Sequence, residues 1–211
     1  MAVDTSADDQ GLKIVSADQD PWFEALGFSP TAVLSGDSDL LAFLHDRLKV
    51  HLRDEGIRHD VIDASLTGPR TDDLADVVAR ARALHAFLAT PDGENLVQGY
   101  RRARNILAQA EARDGVAYSF GAEPRLAETD EERALFATLA EAGPATRAAM
   151  EREEYGAAMT ALAGLRAPID AFFEAVQVNA DAAVVRRNRL NLLGEIVRTC
   201  EGIADLSKLQ G

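Results

Sequence analysis

Arginines are concentrated near the C-terminus of a chain that is otherwise acidic. A signal for the start of a helix ends at Asp181. It is followed by four apolar residues and then by Arg186, Arg187, Asn188 and Arg189. The pattern places these four residues in the first turns of a long predicted helix. Positive charge at a helix N-terminus opposes the helix dipole, so local helix stability does not explain these side chains. They are suited either to ion pairs inside a helical bundle or to an anionic ligand such as an RNA backbone.

The position of each residue around this predicted helix separates the two roles. If the leucines of the helix face the core, steps of about 100° per residue place Arg186 on the apolar stripe and Arg189 beside it. We therefore predict that Arg186 and Arg189 form structural ion pairs, with Asp181 or an aspartate of the first helix as partner. Arg187 and Asn188 point elsewhere, and we predict that they remain free for an anionic ligand such as RNA.

A second cluster of basic residues lies in the middle of the sequence, beside a predicted core residue. If Tyr100 faces the core, Arg101 and Asn105 fall on the outer face of their helix, with Arg104 next to them and Arg102 in the same segment. Arginine suits phosphate contacts, and asparagine suits hydrogen bonds to a base edge. The alternative is a solvated face paired with nearby acidic residues, which contributes little stability.

The first predicted helix adds two more outward cations, Lys49 and Arg53, to the candidate RNA contacts. Phosphate-binding glycine loops and recognisable nucleophiles are absent from the sequence, so we predict that this chain carries no catalytic residue.

A metal-dependent phosphohydrolase is a weaker alternative. His59 and Asp60, with His45, His51 and Asp63 in the same region, contain the imidazole and carboxylate groups that such a site needs. The competing interpretation is that Asp60 caps a helix or forms an ion pair near its start. We favour that interpretation and predict no metal.

Composition restricts the function classes. The chain has 211 residues and a formal net charge of −13, which argues against binding nucleic acid through bulk charge and leaves only a local basic patch. The single cysteine, Cys200, excludes a disulfide framework and falls on the apolar side of a helix, as an inert core residue would. The sequence has no apolar run of membrane-spanning length and no secretory signal, which indicates a cytoplasmic protein.

Hydrophobic periodicity of 3.6 residues predicts an all-α helical bundle over residues 37–211, preceded by an arm or linker at 1–36. Thr71 is predicted to cap one long helix, a tight turn is predicted at 91–93, and Thr129 and Glu132 form a capping box. Glycine and proline at 143–144 are predicted to open a new helix. The predicted helices are 40–55, 57–65, 71–88, 94–113, 129–142, 153–165, 168–178 and 182–206.

Several segments, in the same order and spacing, resemble the C-terminal region of the bacterial glycyl-tRNA synthetase beta subunit. The resemblance covers about residues 37–211, and residues 1–36 do not match it. The segments that carry it are FLHDRLKV and GIRHDVIDA within 39–64, YRRARNIL at 100–107, PIDAFF at 168–173, RRNRL at 186–190 and ADLSKL at 204–209.

This resemblance implies an anticodon-binding domain of the type shared with arginyl-tRNA synthetase. It implies that the domain recognises the anticodon region of the tRNA for glycine within an alpha–beta heterotetramer, the ligase that attaches glycine to that tRNA. ATP and magnesium would then belong only to the alpha-subunit active site, with no cofactor, membrane or DNA at this domain. A structural module that docks the alpha subunit without touching RNA is the alternative.

Overall fold

The computed structural model describes residues 37–67 and 70–210, and within these ranges every regular element is helical. The predicted all-α class is therefore confirmed, whereas the predicted arm at 1–36 lies outside the described residues. The chain divides into two units after Phe43, and all contacts discussed below lie in the second unit. The α-helices are α1 (Asp37–Asp54), α2 (His59–Ser65), α3 (Leu74–Leu88), α4 (Pro91–Asp114), α5 (Asp130–Glu151), α6 (Tyr155–Ala163), α7 (Arg166–Ala175) and α8 (Ala183–Glu201).

Local signals fix several helix ends as predicted. The Thr129 hydroxyl accepts a hydrogen bond from the Glu132 N–H at 3.2 Å, and the Glu132 carboxylate accepts one from the Thr129 N–H at 3.0 Å. This reciprocal arrangement is the predicted capping box at the start of α5. At the end of α4, Gly115 adopts a left-handed conformation with φ 67°, which a residue without Cβ tolerates readily.

Two predicted boundaries are wrong because a neighbouring side chain provides the better cap. Asp73, rather than Thr71, caps α3, since its carboxylate accepts hydrogen bonds from the first backbone N–H groups of that helix. The turn predicted at 91–93 is instead the first turn of α4. Thr90 caps this helix by accepting the Gly93 N–H at 3.1 Å, and Pro91 stands in the first turn, where its missing N–H costs little.

The helix break predicted at 143–144 is also absent, because α5 continues without interruption from Asp130 to Glu151 with Pro144 inside it. Proline removes one hydrogen bond of the helix and crowds the preceding turn. Helix α5 packs against α6, α7 and α8, and this tertiary packing outweighs the local preference for a break.

Helices α4 and α8 form an antiparallel pair in the core, tied by hydrogen bonds near both ends. The Tyr100 hydroxyl donates to the Glu201 carboxylate at 2.6 Å, and the Arg186 guanidinium donates to the Asp114 carboxylate at 2.6 Å. The rise of about 1.5 Å per residue separates these two ties by about 20 Å along α4. The predicted stripe of α4 is buried as expected, with Leu96, Tyr100, Ala103, Leu107 and Ala110 facing the core.

Cys200 occupies a fully buried position on α8, as the sequence predicted. Burial raises the pKa of its thiol to about 12, so the group stays protonated and unreactive at neutral pH.

Candidate nucleic-acid interface

The outer face of α4 carries the most accessible of the predicted contacts. The Arg104 side chain is 50% exposed, and its closest acidic neighbour is the Glu201 carboxylate, 3.9 Å from Nε. Asn105 is exposed, and within the described residues its side chain has no hydrogen-bond partner. The arrangement places a guanidinium and an unused amide side by side on a rigid helix.

Arg101 has a structural contact in addition to its place in this cluster. It is half-buried, and Nη2 donates a hydrogen bond to the Leu209 carbonyl at 2.5 Å, which ties the C-terminal segment to α4. The side chain also lines a cleft of about 500 Å³ together with Arg58, Gln98 and Gln210. Because a guanidinium has five N–H donors, the contact with Leu209 leaves others for a ligand in this cleft.

Arg102 is directed to a different neighbour. Its guanidinium lies 4.4 Å from the centre of the Phe173 ring on α7, within the range of a cation–π interaction. Nη2 lies 3.5 Å from the carbonyl oxygen of the same residue. Arg102 thus joins α4 to α7, a contact that the sequence did not indicate.

The two cations of α1 differ in their surroundings. Lys49 forms an ion pair with Asp63, with 3.2 Å between Nζ and the carboxylate. Arg53 is exposed and has no acidic partner among the described residues. Of the two, Arg53 alone presents its charge without competition from a nearby carboxylate.

Arg189 is the most deeply buried arginine of the C-terminal cluster. Its Nε and Nη2 lie 2.7 Å and 3.2 Å from the two carboxylate oxygens of Glu132, and both side chains are almost inaccessible to solvent. Nη2 also donates to Glu128 at 3.0 Å, and Nη1 to the Gln177 carbonyl at 3.1 Å. This ion pair joins α8 to the capping box of α5.

Burial and hydrogen bonding act on the Glu132 carboxylate in opposite directions. Burial by itself raises its pKa, but hydrogen bonds from Arg189 and from the backbone of Thr129 and Glu128 lower it below the usual value. The carboxylate is therefore ionised at neutral pH despite its position inside the bundle.

Arg186 is also paired, but with a partner that the sequence analysis did not name. Nη2 donates to the Asp114 carboxylate at 2.6 Å, Nη1 to the Tyr118 hydroxyl at 3.3 Å and Nε to the Asn179 side chain at 3.1 Å. Hydrogen bonds from Tyr118 and then Arg186 lower the pKa of Asp114 to about 2. The partner lies on α4 because the antiparallel packing brings the end of that helix to the start of α8.

The predicted role of Asp181 is wrong. Its side chain is exposed and forms no ion pair within the described residues. The start signal at 179–181 does not cap α8 either, because the N-cap residue is Ala182 and no side chain accepts a hydrogen bond there. Asn179 instead accepts hydrogen bonds from two arginines, Arg186 and Arg113.

Asn188 does not point outward as predicted, and this is the main correction to the C-terminal cluster. It is 5% exposed, and its side chain forms two hydrogen bonds with the backbone of Glu123. The Glu123 N–H donates to Oδ1 at 2.7 Å, and Nδ2 donates to the Glu123 carbonyl at 3.1 Å. Arg187 remains exposed, with no ion-pair partner in the described part of the chain.

The accessible residues therefore form two groups at opposite ends of the α4–α8 pair. Arg101, Arg104 and Asn105 lie near the end marked by Glu201, and Arg187 lies near the end marked by Asp114, about 14–20 Å away along α4. The sequence did not indicate this separation, because it depends on the antiparallel packing of two distant segments.

The surroundings of Asp60 provide no metal site. Asp60 is buried, pairs with Arg58 and accepts backbone hydrogen bonds from Gln210 at 2.7 Å and Val61 at 2.9 Å. Among the residues of 37–67 and 70–210, no three or more His, Cys, Asp and Glu side chains are grouped to hold a metal ion. The Asp60 carboxylate fastens the C-terminal segment to α2, which is the structural alternative considered for it.

No helix in the described part of the chain is both long and apolar enough to cross a membrane. The fold is that of an all-helical bundle, and the exposed arginine and asparagine of α4 are residue types that bind RNA phosphates and base edges. Comparison with known families gives the particular family. The profile of the DALR anticodon binding domain matches residues 96–206, more than half of the chain, so the chain belongs to that family.

Curated relatives are similar to this chain over a longer stretch than the family profile. The chain is 61% identical over 189 residues to a glycine–tRNA ligase beta subunit of Cereibacter sphaeroides, which covers 90% of this chain and 26% of the relative. It is 60% identical over 179 residues to the protein of the same name from Dinoroseobacter shibae, covering 85% of this chain and 25% of that one. The chain thus spans about a quarter of the length of these relatives.

Proposed function

We propose that this chain is the anticodon-recognition module of a glycine–tRNA ligase beta subunit. The observation that carries the proposal is the family match over residues 96–206, which includes almost all of α4 and the whole of α8. The name of the relatives supplies the substrate, a tRNA for glycine.

In this proposal the exposed face of α4 is the main contact surface. Arg104 binds phosphates, Asn105 hydrogen-bonds the edge of an unpaired base, and Arg101 offers its remaining donors in the cleft beside the C-terminal segment. Arg187 at the far end of the α4–α8 pair, and Arg53 on α1, add phosphate contacts. Lys49, Arg102 and Asn188 bind their own chain first, so they contribute less to RNA affinity than the sequence suggested.

The rest of the assembly is proposed from the resemblance alone. The alpha subunit holds ATP and magnesium and carries out aminoacylation in the cytoplasm, whereas this module holds no cofactor. The net charge of −13 repels RNA from surfaces other than the basic groups, which limits non-specific binding.

Fluorescence anisotropy with a labelled anticodon stem–loop of a glycine tRNA tests the proposal. We expect the wild-type chain to bind it, and the double variant Arg104→Ala, Asn105→Ala to bind it on the order of tenfold more weakly. The slope of log K against log salt should fall by about 0.7–0.9 for each phosphate contact that is lost. In the complete ligase the same variant should raise KM for tRNA.

Arg133→Ala is the matched control, because Arg133 is an exposed arginine of α5 that pairs only with its own helix and the preceding loop. The control should retain wild-type affinity. If the double variant binds RNA normally but no longer associates with the alpha subunit, the module is a docking element and the anticodon role is wrong.

A further inference from the structure

An aromatic side chain is held almost fully in solvent at one end of the bundle. Phe120, in the loop between α4 and α5, is 83% exposed, far more than the other large hydrophobic side chains exposed in the described residues. Val116, in the same loop, is 53% exposed. Leaving so large an apolar surface in water is unfavourable, and nothing in the packing of the bundle requires it.

The loop that carries Phe120 is held in place on both sides of it. Before Phe120, the Tyr118 N–H donates to Glu111 at 3.0 Å, and the Tyr118 hydroxyl donates to Asp114 at 2.6 Å. After it, the Ala122 N–H donates to the Glu195 carboxylate at 2.7 Å. The exposure of Phe120 is therefore a property of an anchored loop.

Two further features direct the Phe120 region outward. Gly121 adopts a left-handed conformation with φ 86°, which turns the chain immediately after the aromatic residue. The Tyr118 carbonyl lies so close to Gly194 of α8 that a Cβ at Gly194 would come within 2.6 Å of it. The loop thus lies directly on α8, and Phe120 stands between its two attachment points.

The surroundings of this loop favour an anionic ligand. Arg187 lies between Arg186 and Asn188, which both contact the loop, and Arg125 is in the loop itself, five residues after Phe120. Both Arg187 and Arg125 are exposed and have no acidic partner among the described residues. The acidic side chains of Glu111, Asp114 and Glu195 accept hydrogen bonds that hold the loop or Arg186, and Glu123 of the loop accepts one from the Arg125 N–H at 3.2 Å.

We propose that Phe120 is a stacking platform for an unpaired base of the RNA, with Arg125 and Arg187 on the flanking phosphates. Aromatic rings for base stacking together with arginines for the phosphates are the combination with which proteins bind single-stranded nucleic acid. The anchored loop lowers the entropy cost of ordering the ring on binding. This inference rests on the proposed function, since the RNA is the one that the α4 surface would bind.

A tryptophan placed at the loop tests the stacking contact directly. The chain has a single tryptophan, so Trp22→Phe combined with Phe120→Trp leaves one reporter in the loop. On titration with the anticodon stem–loop we expect the fluorescence of this reporter to be quenched as a base stacks on it. The control reporter, Trp22→Phe with Ala137→Trp, uses an exposed position on α5, one turn from the control residue Arg133, and should not respond.

Affinity gives a second readout. Phe120→Ala should weaken binding of the stem–loop on the order of tenfold, whereas Phe120→Tyr should bind like wild type, because it keeps the aromatic ring. Thermal unfolding of Phe120→Ala should match wild type, since the ring is not packed in the core.

The outcomes separate the two proposals. If wild type binds the stem–loop while Phe120→Ala binds equally well and the loop reporter is silent, the stacking role is wrong and the proposed function stands. If Phe120→Ala instead loses only its association with the alpha subunit, the loop is a protein contact, which also overturns the stacking role. If wild type does not bind the stem–loop at all, the proposed function fails and this inference fails with it.

Discussion

The guanidinium of Arg189 and the carboxylate of Glu132 form a bidentate ion pair inside the bundle, with N–O distances of 2.7 Å and 3.2 Å. Glu132 is also the residue that closes the capping box of α5 through the Thr129 N–H. One carboxylate therefore both caps the start of α5 and joins α5 to α8, a helix that is far from it in sequence. Removing either partner leaves the other charge buried without its closest counter-ion.

Arg189→Ala should lower the free energy of unfolding by about 3–5 kcal/mol, because it leaves the Glu132 carboxylate buried without its main donor. Urea denaturation followed by circular dichroism measures the change. Arg133→Ala, which removes an exposed ion pair of the same helix, should change stability by less than about 1 kcal/mol. Equal effects of the two substitutions would contradict the structural role of Arg189.

Glu132 should also make stability depend on pH. Its pKa is lowered in the folded chain, so its contribution is complete above the unfolded value of about 4.3 and is lost as pH falls through the folded value. Glu132→Gln should be less stable than wild type at pH 7 and should lose less stability between pH 5 and pH 3. Denaturation curves across this range test it, and parallel curves for the two proteins would refute it.

Gly194 and Gly156 are a matched pair of helix glycines in different surroundings. A Cβ at Gly194 would meet the Tyr118 carbonyl at 2.6 Å, whereas a Cβ at Gly156 meets nothing within 4 Å. Gly194→Ala should therefore destabilise the chain by about 1–3 kcal/mol, and Gly156→Ala should be neutral or stabilising by up to about 1 kcal/mol. Melting temperatures of the two variants compare the effects, and the same sign for both would show that the loop does not press on α8.

Asn188→Ala should release the loop before α5 without unfolding the bundle. The variant loses both hydrogen bonds to the Glu123 backbone, at a cost of roughly 1–2 kcal/mol. Amide hydrogen exchange should then increase over residues 115–126 while α4 and α8 keep their protection. Asn105→Ala is the control, because that asparagine has no hydrogen-bond partner in the described residues, and unchanged exchange in Asn188→Ala would contradict the anchoring role.

Periodicity was sufficient to place most helices and the buried face of α4, because burial of one apolar stripe is encoded locally in each segment. It was not sufficient for Asn188, which is buried because a loop from residues 115–126 covers that part of α8. The same limit explains why Asp114, rather than Asp181, pairs with Arg186. Both contacts depend on which distant segments meet, and spacing along one helix does not contain that information.

The residues proposed to bind RNA show the same difference between what one helix encodes and what tertiary packing decides. Arg104 and Asn105 are exposed as their angular positions indicated. The sequence alone does not single out Phe120, because it does not distinguish an exposed aromatic residue in a loop from one that packs against the core. The only sequence signal that Phe120 lies at a turn is its neighbours, Ser119 before it and Gly121 after it, which favour turns.

The ties of Tyr100 to Glu201 and of Asp114 to Arg186 give the α4–α8 pair a fixed length between its two ends. A ligand that contacts the exposed residues at both ends must match a fixed separation of about 14–20 Å along α4, since neither helix can slide past the other without breaking a tie. The pair therefore holds these two groups of residues at a constant distance. Under the proposed function, this spacing restricts which RNA groups can reach both contact points at once, whichever bases they belong to.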